Sequence, residues 1–189
     1  MQAQKLFILL ERLSLLLRND TRQRGLLHGL QPVQVEALLY LSRCNRYSNT
    51  PQAVTDYLGT TKGTVSQTLK ALERKGFLAK ERDSDDGRVV RLQLTTAGTA
   101  VADELEVPEI LTAALAGDGA PAEGLEADLR GLLAAVQRSG RFRTFGACHS
   151  CAHFLREKGG FRCGLTREPL STADSELICR EHAAHGTGH

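Results

Sequence analysis

Apolar positions recur at helical spacing over residues 3–18, where Leu6, Leu9, Leu10, Leu13, Leu16 and Leu17 stand three or four apart. Phe7, Ile8 and Leu15 widen this stripe almost all round the helix. A terminal helix that is apolar on most faces needs a partner on more than one side; a second copy of the chain is the economical source, and a monomer core is the alternative. Pro32 opens a second helix carrying Val33, Val35, Leu38, Leu39 and Leu41 and ending near Cys44. After a polar loop, Thr50 reads as an N-cap with Pro51 at the first helical position, starting a short helix through Tyr57 and Leu58. Gly59 closes it, Thr60 or Thr61 caps the next helix, and Gly76 ends that one.

Two strands follow, over 77–82 and 89–94, the second alternating Val90, Leu92 and Leu94 against Val89, Arg91 and Gln93. The charged turn Asp83-Ser84-Asp85-Asp86-Gly87 joins them into a hairpin. Thr95 or Thr96 begins a further helix with Val101, Leu105, Ile110, Leu111 and Leu115, which Pro108 kinks. A loop over 117–124 precedes a last long helix bearing Leu125, Leu129, Leu132, Leu133 and Val136. Beyond Gly140 the chain turns to Cys, His, Gly and Arg, so the pattern predicts a winged helix and dimerisation domain over 1–140, a cysteine-rich segment over 141–184, and a disordered tail over 185–189.

Short helix, tight turn, second helix and β-hairpin together describe a winged helix-turn-helix. At about 100° per residue, Val65, Leu69 and Leu72 fall in one sector of the second of these helices. Gly63, Gln67, Lys70 and Arg74 lie opposite, flanked by Thr64 and Ser66. That face carries amide, hydroxyl and cationic groups able to meet base edges and phosphates, and Gln67 can bond an adenine bidentately. A solvated amphipathic face has the same pattern; the hairpin weighs against that blander reading. Its tip holds Arg88 beside Asp83, Asp85 and Asp86, and a carboxylate that keeps a guanidinium extended suits insertion into a minor groove.

Composition sharpens this picture in places. With 41% hydrophobic and 24% charged residues in 189, the chain has the balance of a globular protein and not of a disordered one. Glu11 and Arg12 interrupt the longest apolar run before it could cross a bilayer, and no secretory signal pattern is present, so a cytoplasmic protein without membrane contact is expected. The net charge is +2, yet residues 60–94 hold eight Lys or Arg against five Asp or Glu. The positive excess therefore sits where a nucleic-acid footprint needs it.

Residues 1–139 resemble the MarR family of regulators. The resemblance is carried by Thr50-Pro51-Gln52-Ala53-Val54-Thr55-Asp56-Tyr57-Leu58-Gly59, by the run from Thr64-Val65-Ser66-Gln67 to Lys75-Gly76-Phe77-Leu78, by Asp83-Ser84-Asp85-Asp86-Gly87-Arg88, and by Leu92-Gln93-Leu94-Thr95-Thr96-Ala97-Gly98. It implies a mainly α fold with a small β-wing, and a homodimer built from the first and last helices of residues 1–139. Each chain then lays a recognition helix in the major groove of a palindromic operator. The contacting residues are expected to be Thr61, Lys62, Gly63, Thr64, Ser66, Gln67, Lys70 and Arg74, with Asp86 and Arg88 on the wing. The interrupted helix at Pro108 departs from the family pattern beside its small-effector pocket.

Cys148-x2-Cys151-x11-Cys163-x15-Cys179 is a spacing suited to a tetrahedral metal centre, since a CxxC turn offers two thiolates to one ion and two distant cysteines complete the set. His182 can substitute for one of these ligands, while His149 and His153 are weaker choices. Ser171 and Asp174 form a capping pair for a helix over 171–179 that would deliver Cys179, and Gly164 permits a tight turn with N–H groups aimed at sulfur. Zinc is the first reading, and an iron–sulfur cluster on the same cysteines, sensing a redox signal, is the alternative. Ala152 stands where haem attachment needs a histidine. Four thiolates leave no open coordination position, and there is no phosphate loop or nucleophile motif, so the chain is not expected to be an enzyme. A metal-binding protein–protein interaction module is a further alternative. Because Arg141, Arg143 and Phe145 lead from the last long helix into Cys148, the centre is expected to communicate through the dimer interface.

Overall fold

The computed structural model describes residues 2–84, 86–117, 124–140 and 143–184. The first helix, α1 (Gln2–Leu27), runs well beyond the 3–18 read from periodicity, because residues 19–27, mostly polar and without a continuing apolar stripe, are anchored by Asp20 and Arg24 to the backbone of residues 104–109. The Arg24 guanidinium donates to the carbonyls of Glu104 and Val107, and Asp20 accepts from the Glu109 N–H at 3.0 Å. Gly25 is buried in α1 because a Cβ there would stand 2.5 Å from Val35 Cγ2.

The helix-turn-helix lobe follows as α2 (Pro32–Arg43), α3 (Pro51–Leu58), α4 (Lys62–Arg74), β1 (Leu78–Arg82) and β2 (Val90–Leu94). Thr50 caps α3 by accepting from the Ala53 N–H, Gly59 takes φ +62° at its end, and Thr61 caps α4 by accepting from the Thr64 N–H. These are the caps expected from the sequence, and they set the tight turn between the two helices. β1 and β2 pair antiparallel with Leu78 opposite Leu94 and Arg82 opposite Val90. The core lies among Val35, Leu38 and Tyr40 of α2, Val54, Val65, Leu69, Leu72 and Leu92. Beyond the wing, Thr95 caps α5 (Thr96–Leu105), and Pro108 does more than kink the chain: it ends one helix and N-caps another, α6 (Glu109–Ala116). The last long helix is α7 (Leu125–Gly140).

The C-terminal segment holds a small sheet that the hydrophobic pattern did not reveal. A 3₁₀ turn (Cys148–Ser150) precedes β3 (Phe154–Glu157), β4 (Gly160–Cys163) and β5 (Pro169–Leu170), which pair antiparallel in that order, and then α8 (Thr172–Glu176). Ser171 and Asp174 form the expected capping box, but α8 ends before Cys179. Cys179 instead follows Ile178, which bridges both Cys44 and Ala147 in an extended segment. The strands escaped notice because they are four, four and two residues long and mostly half-exposed, so no alternating apolar face marks them.

This segment docks on the helix-turn-helix lobe. Phe145, at φ 42°, turns the chain so that its ring meets Tyr57 at 5.2 Å and Tyr40 at 6.1 Å between centroids. The Asn45 N–H donates to Ile178 O, and the Ile178 N–H donates to Arg43 O. Arg143 pairs with Asp56 on α3 at 3.7 Å and with Glu181 at 3.6 Å, so the junction expected to lead toward a dimer interface also grips the helix-turn-helix itself. Arg141, Asp85 and the tail over 185–189 lie outside the described residues.

Candidate nucleic-acid interface and cysteine centre

Val65, Leu69 and Leu72 of α4 are buried as their angular sector requires, joined by Thr68. Thr61, Lys62, Gly63, Thr64, Ser66, Gln67, Lys70 and Arg74 are exposed. The Thr61 hydroxyl is already engaged as the cap and lies 3.0 Å from that of Thr64. At the wing tip the Arg88 side chain is 95% exposed, and its Nε stands 3.6 Å from Asp86 Oδ1, which also accepts from the Arg88 N–H. Asp83 does different work from that expected: it accepts from the Asp86 N–H to shape the turn and pairs at 2.6 Å with Arg91, not Arg88.

Between α4 and the wing runs an open groove of about 690 Å³. Lys62 and Ser66 line it from α4 and Lys80 and Arg88 from the hairpin, as a positive cleft should be built. Three of its walls were not legible in the sequence: Gln52 and Thr55 from α3, Tyr47 from the loop before it, and Arg180 from the C-terminal segment. No periodicity connects Arg180 to α3 across more than a hundred residues. Its guanidinium donates from two nitrogens to Asp56 Oδ2, each at 2.8 Å. Burial raises the Asp56 carboxyl, but the hydrogen bonds from Arg180 and Gln52 and the nearby Arg143 outweigh it and hold the group below the ordinary carboxylate range.

Cys148, Cys151, Cys163 and Cys179 all line one cavity of about 40 Å³, walled otherwise by side chains that include Phe154 and Leu170. That is room for an ion-sized body in a largely apolar shell. Among the described residues, no group of three or more His, Cys, Asp or Glu side chains converges closely enough to hold a metal ion as the chain stands. The sulfurs are nonetheless met by donors. Asn45 Nδ2 donates to Cys148 Sγ at 3.4 Å, and the His153 and Ala183 N–H groups donate to Cys151 Sγ at 3.5 and 3.4 Å. The Gly164 N–H goes elsewhere, to His153 O at 2.7 Å. Interaction between the neighbouring Cys148 and Cys179 thiols holds the Cys179 thiol below its ordinary range and pushes that of Cys148 up. His182 does not face the cavity: its ring meets the hydroxyls of Thr144 and Ser150 at 2.5 and 3.0 Å and packs where a Cβ on Gly146 would collide. Cys44 stands apart, its thiol pushed up to about 12 by burial.

A second cleft, of about 680 Å³, opens between α1 and the α2–α3 pair, lined by Arg18, Arg22, Arg43 and Tyr57 among others. No helix among the described residues is long and apolar enough to cross a membrane.

The sequence model of the MarR family matches residues 28–89, which span α2 to the wing turn. No curated protein matches the chain. Among solved structures, the transcriptional regulator BldR of Sulfolobus solfataricus is similar at 24% identity, over 72% of this chain and 94% of that one, with a TM-score of 0.54. CouR of Rhodococcus jostii RHA1, solved with p-coumaroyl-CoA, shares 14% identity over 74% of this chain and 94% of its own, with a TM-score of 0.55. MepR, a transcription regulator of the Staphylococcus aureus multidrug efflux pump MepA, shares 21% over 69% and 95%, with a TM-score of 0.51. At these identities the structures speak for the fold alone, and the family match is confined to the helix-turn-helix and wing. Over residues 28–89 the chain is thus similar to the MarR family, and its fold is the winged helix-turn-helix fold of these solved structures.

Proposed function

We propose that the protein is a cytoplasmic homodimer that binds a palindromic operator, with α4 in the major groove and the Arg88 wing in the minor groove. The observation that carries this reading is the exposed polar face of α4, Thr64, Ser66, Gln67, Lys70 and Arg74, set across a groove from an extended Arg88 that Asp86 steadies. Gln67 and Lys70 supply base-edge contacts, and Lys62, Arg74 and Arg88 supply charge against phosphate. The homodimer is supported by apolar surface on α1, α6 and α7: Phe7 is 64% exposed, Leu13 55% and Leu133 57%, more than a monomeric surface carries without function. The cleft between α1 and α2, with its three arginines, suits a small anionic effector with an apolar body.

The four cysteines are proposed to hold one zinc ion. One small shared cavity, N–H and amide donors already aimed at sulfur, and a docked scaffold support four thiolates drawing together on a single ion. Structural zinc supplies folding free energy and no chemistry at such a closed centre. An iron–sulfur cluster on the same ligands is the alternative. Selection of duplexes from a random pool tests the DNA reading: a palindrome with half-sites about one helical turn apart is expected, and no enrichment contradicts it. Anaerobic purification tests the centre: colourless protein with one zinc per chain is expected, whereas brown protein containing iron and sulfide assigns the cluster.

A further inference from the structure

The loop between α2 and α3, residues 45–49, faces two ways. On one side it holds the cysteine segment. Asn45 Nδ2 donates to Cys148 Sγ, Asn45 Oδ1 accepts from Ser48 Oγ at 2.8 Å, and Ser48 Oγ accepts at 2.8 Å from the N–H of Arg180, the residue after Cys179. On the other side it holds the wing. Asn49 O accepts from the Leu92 N–H at 2.8 Å, and the Arg91 guanidinium donates to Arg46 O at 2.9 Å and to Asn49 Oδ1 at 3.3 Å. Arg180 then reaches from Cys179 to Asp56 on α3 and lines the groove in which DNA is read. Asn45 and Ser48 are 2% and 0% exposed, so water cannot replace a lost member of this chain of bonds.

We infer that Asn45 and Arg180 are positioning residues through which the state of the four-cysteine centre sets the geometry of α3 and the wing, so that the zinc-loaded chain binds operator more tightly than the zinc-free chain. The inference rests on both readings above, zinc at the cysteines and DNA at α4. Cys148 Sγ accepts the Asn45 amide at 3.4 Å, so a sulfur drawn onto an ion carries the Asn45 side chain with it. Cys179, once held by an ion, fixes the backbone N–H that Arg180 gives to Ser48 and so the root of the guanidinium that grips Asp56. When the sulfurs are released, the loop loses its wall on the cysteine side while it still carries the wing on the other. The path stays within one chain and requires no change at a dimer interface.

The test uses the full chain loaded with zinc and a palindromic duplex selected from a random pool by that same protein. Removing zinc with a chelator should weaken wild-type binding on the order of ten-fold. Saturating duplex should raise zinc affinity, measured by competition with a chromophoric chelator, by the same factor, because linkage is reciprocal; a scrambled duplex should not. Asn45→Ala should still take up one zinc yet bind duplex equally with and without it. Arg180→Gln, at a half-buried position where the shorter amide leaves the backbone N–H to Ser48 in place, should behave the same way and serves if Asn45→Ala does not fold by circular dichroism. Equal wild-type affinity in both zinc states, or a full response to zinc in a folded variant, overturns the inference while both readings stand. Failure of the wild type to take up stoichiometric zinc overturns it together with the metal reading, and failure to select any duplex overturns it together with the DNA reading.

Discussion

Arg88 and Gln67 are exposed side chains with different chemistry, and their loss should be felt differently. Arg88→Ala removes one charge from the minor groove. In anisotropy titrations it should lower affinity for most A/T-rich duplexes and reduce the salt slope by about 1. Gln67→Ala should relax discrimination at one base position by about 1–3 kcal/mol, with the salt slope unchanged. Unaltered binding in both variants would remove the proposed reading surface. A different residue tests the frame behind it. Gly98 opens α5 against the end of α4, and a Cβ there would sit 2.0 Å from Phe77 O, a backbone atom with nowhere to go. Gly98→Ala should cost roughly 1–3 kcal/mol in a denaturant titration, as overpacking does.

Among the elements, α3 depends on its first turn. It is eight residues long, too short to persist without tertiary contacts, and its free N–H groups are met in part by Thr50 Oγ1, which accepts from Ala53 at 3.2 Å. Thr50→Ala should therefore destabilise the lobe by about 1 kcal/mol, measured as a shift in thermal midpoint. The attachment of the C-terminal segment to α3 carries a pH signature. Because the folded Asp56 carboxyl titrates below its unfolded value, the docking it provides is complete above the ordinary carboxylate range and is lost as pH falls through the depressed value. Hydrogen exchange of residues 177–181 should rise on acidification, with a component that Asp56→Asn removes.

For the whole molecule, α1, α6 and α7 present their leucines to solvent in the single chain: α1 buries Gly25, and α6 and α7 bury no residue. Sedimentation should find a dimer at micromolar concentration, and Leu13→Glu should shift it toward monomer and weaken operator binding, since two half-sites are then no longer held at fixed spacing. A wild-type chain that sediments as a folded monomer contradicts the dimer.

Local rules determined a great deal. Thr50-Pro51, Gly59, Thr61 and Gly76 mark helix ends through groups within four residues of one another, and the 100° sector of Val65, Leu69 and Leu72 identifies the buried face of α4 and therefore the exposed polar face opposite, the proposed reading face. The wing and the cysteine spacing are equally local. Other features depended on contacts that no window along the chain can contain. Short, half-exposed strands carry too little alternation to declare β3 to β5, and helix α1 outlasts its apolar stripe because Arg24 finds carbonyls at Glu104 and Val107. Which carboxylate serves Arg88, and that His182 turns to Thr144 and Ser150 instead of the cysteines, follow from competition among nearby partners. The placement of the cysteine segment against the 45–49 loop was decided by tertiary structure alone, because Asn45 and Cys148, or Asp56 and Arg180, meet only after the intervening hundred or more residues have folded back.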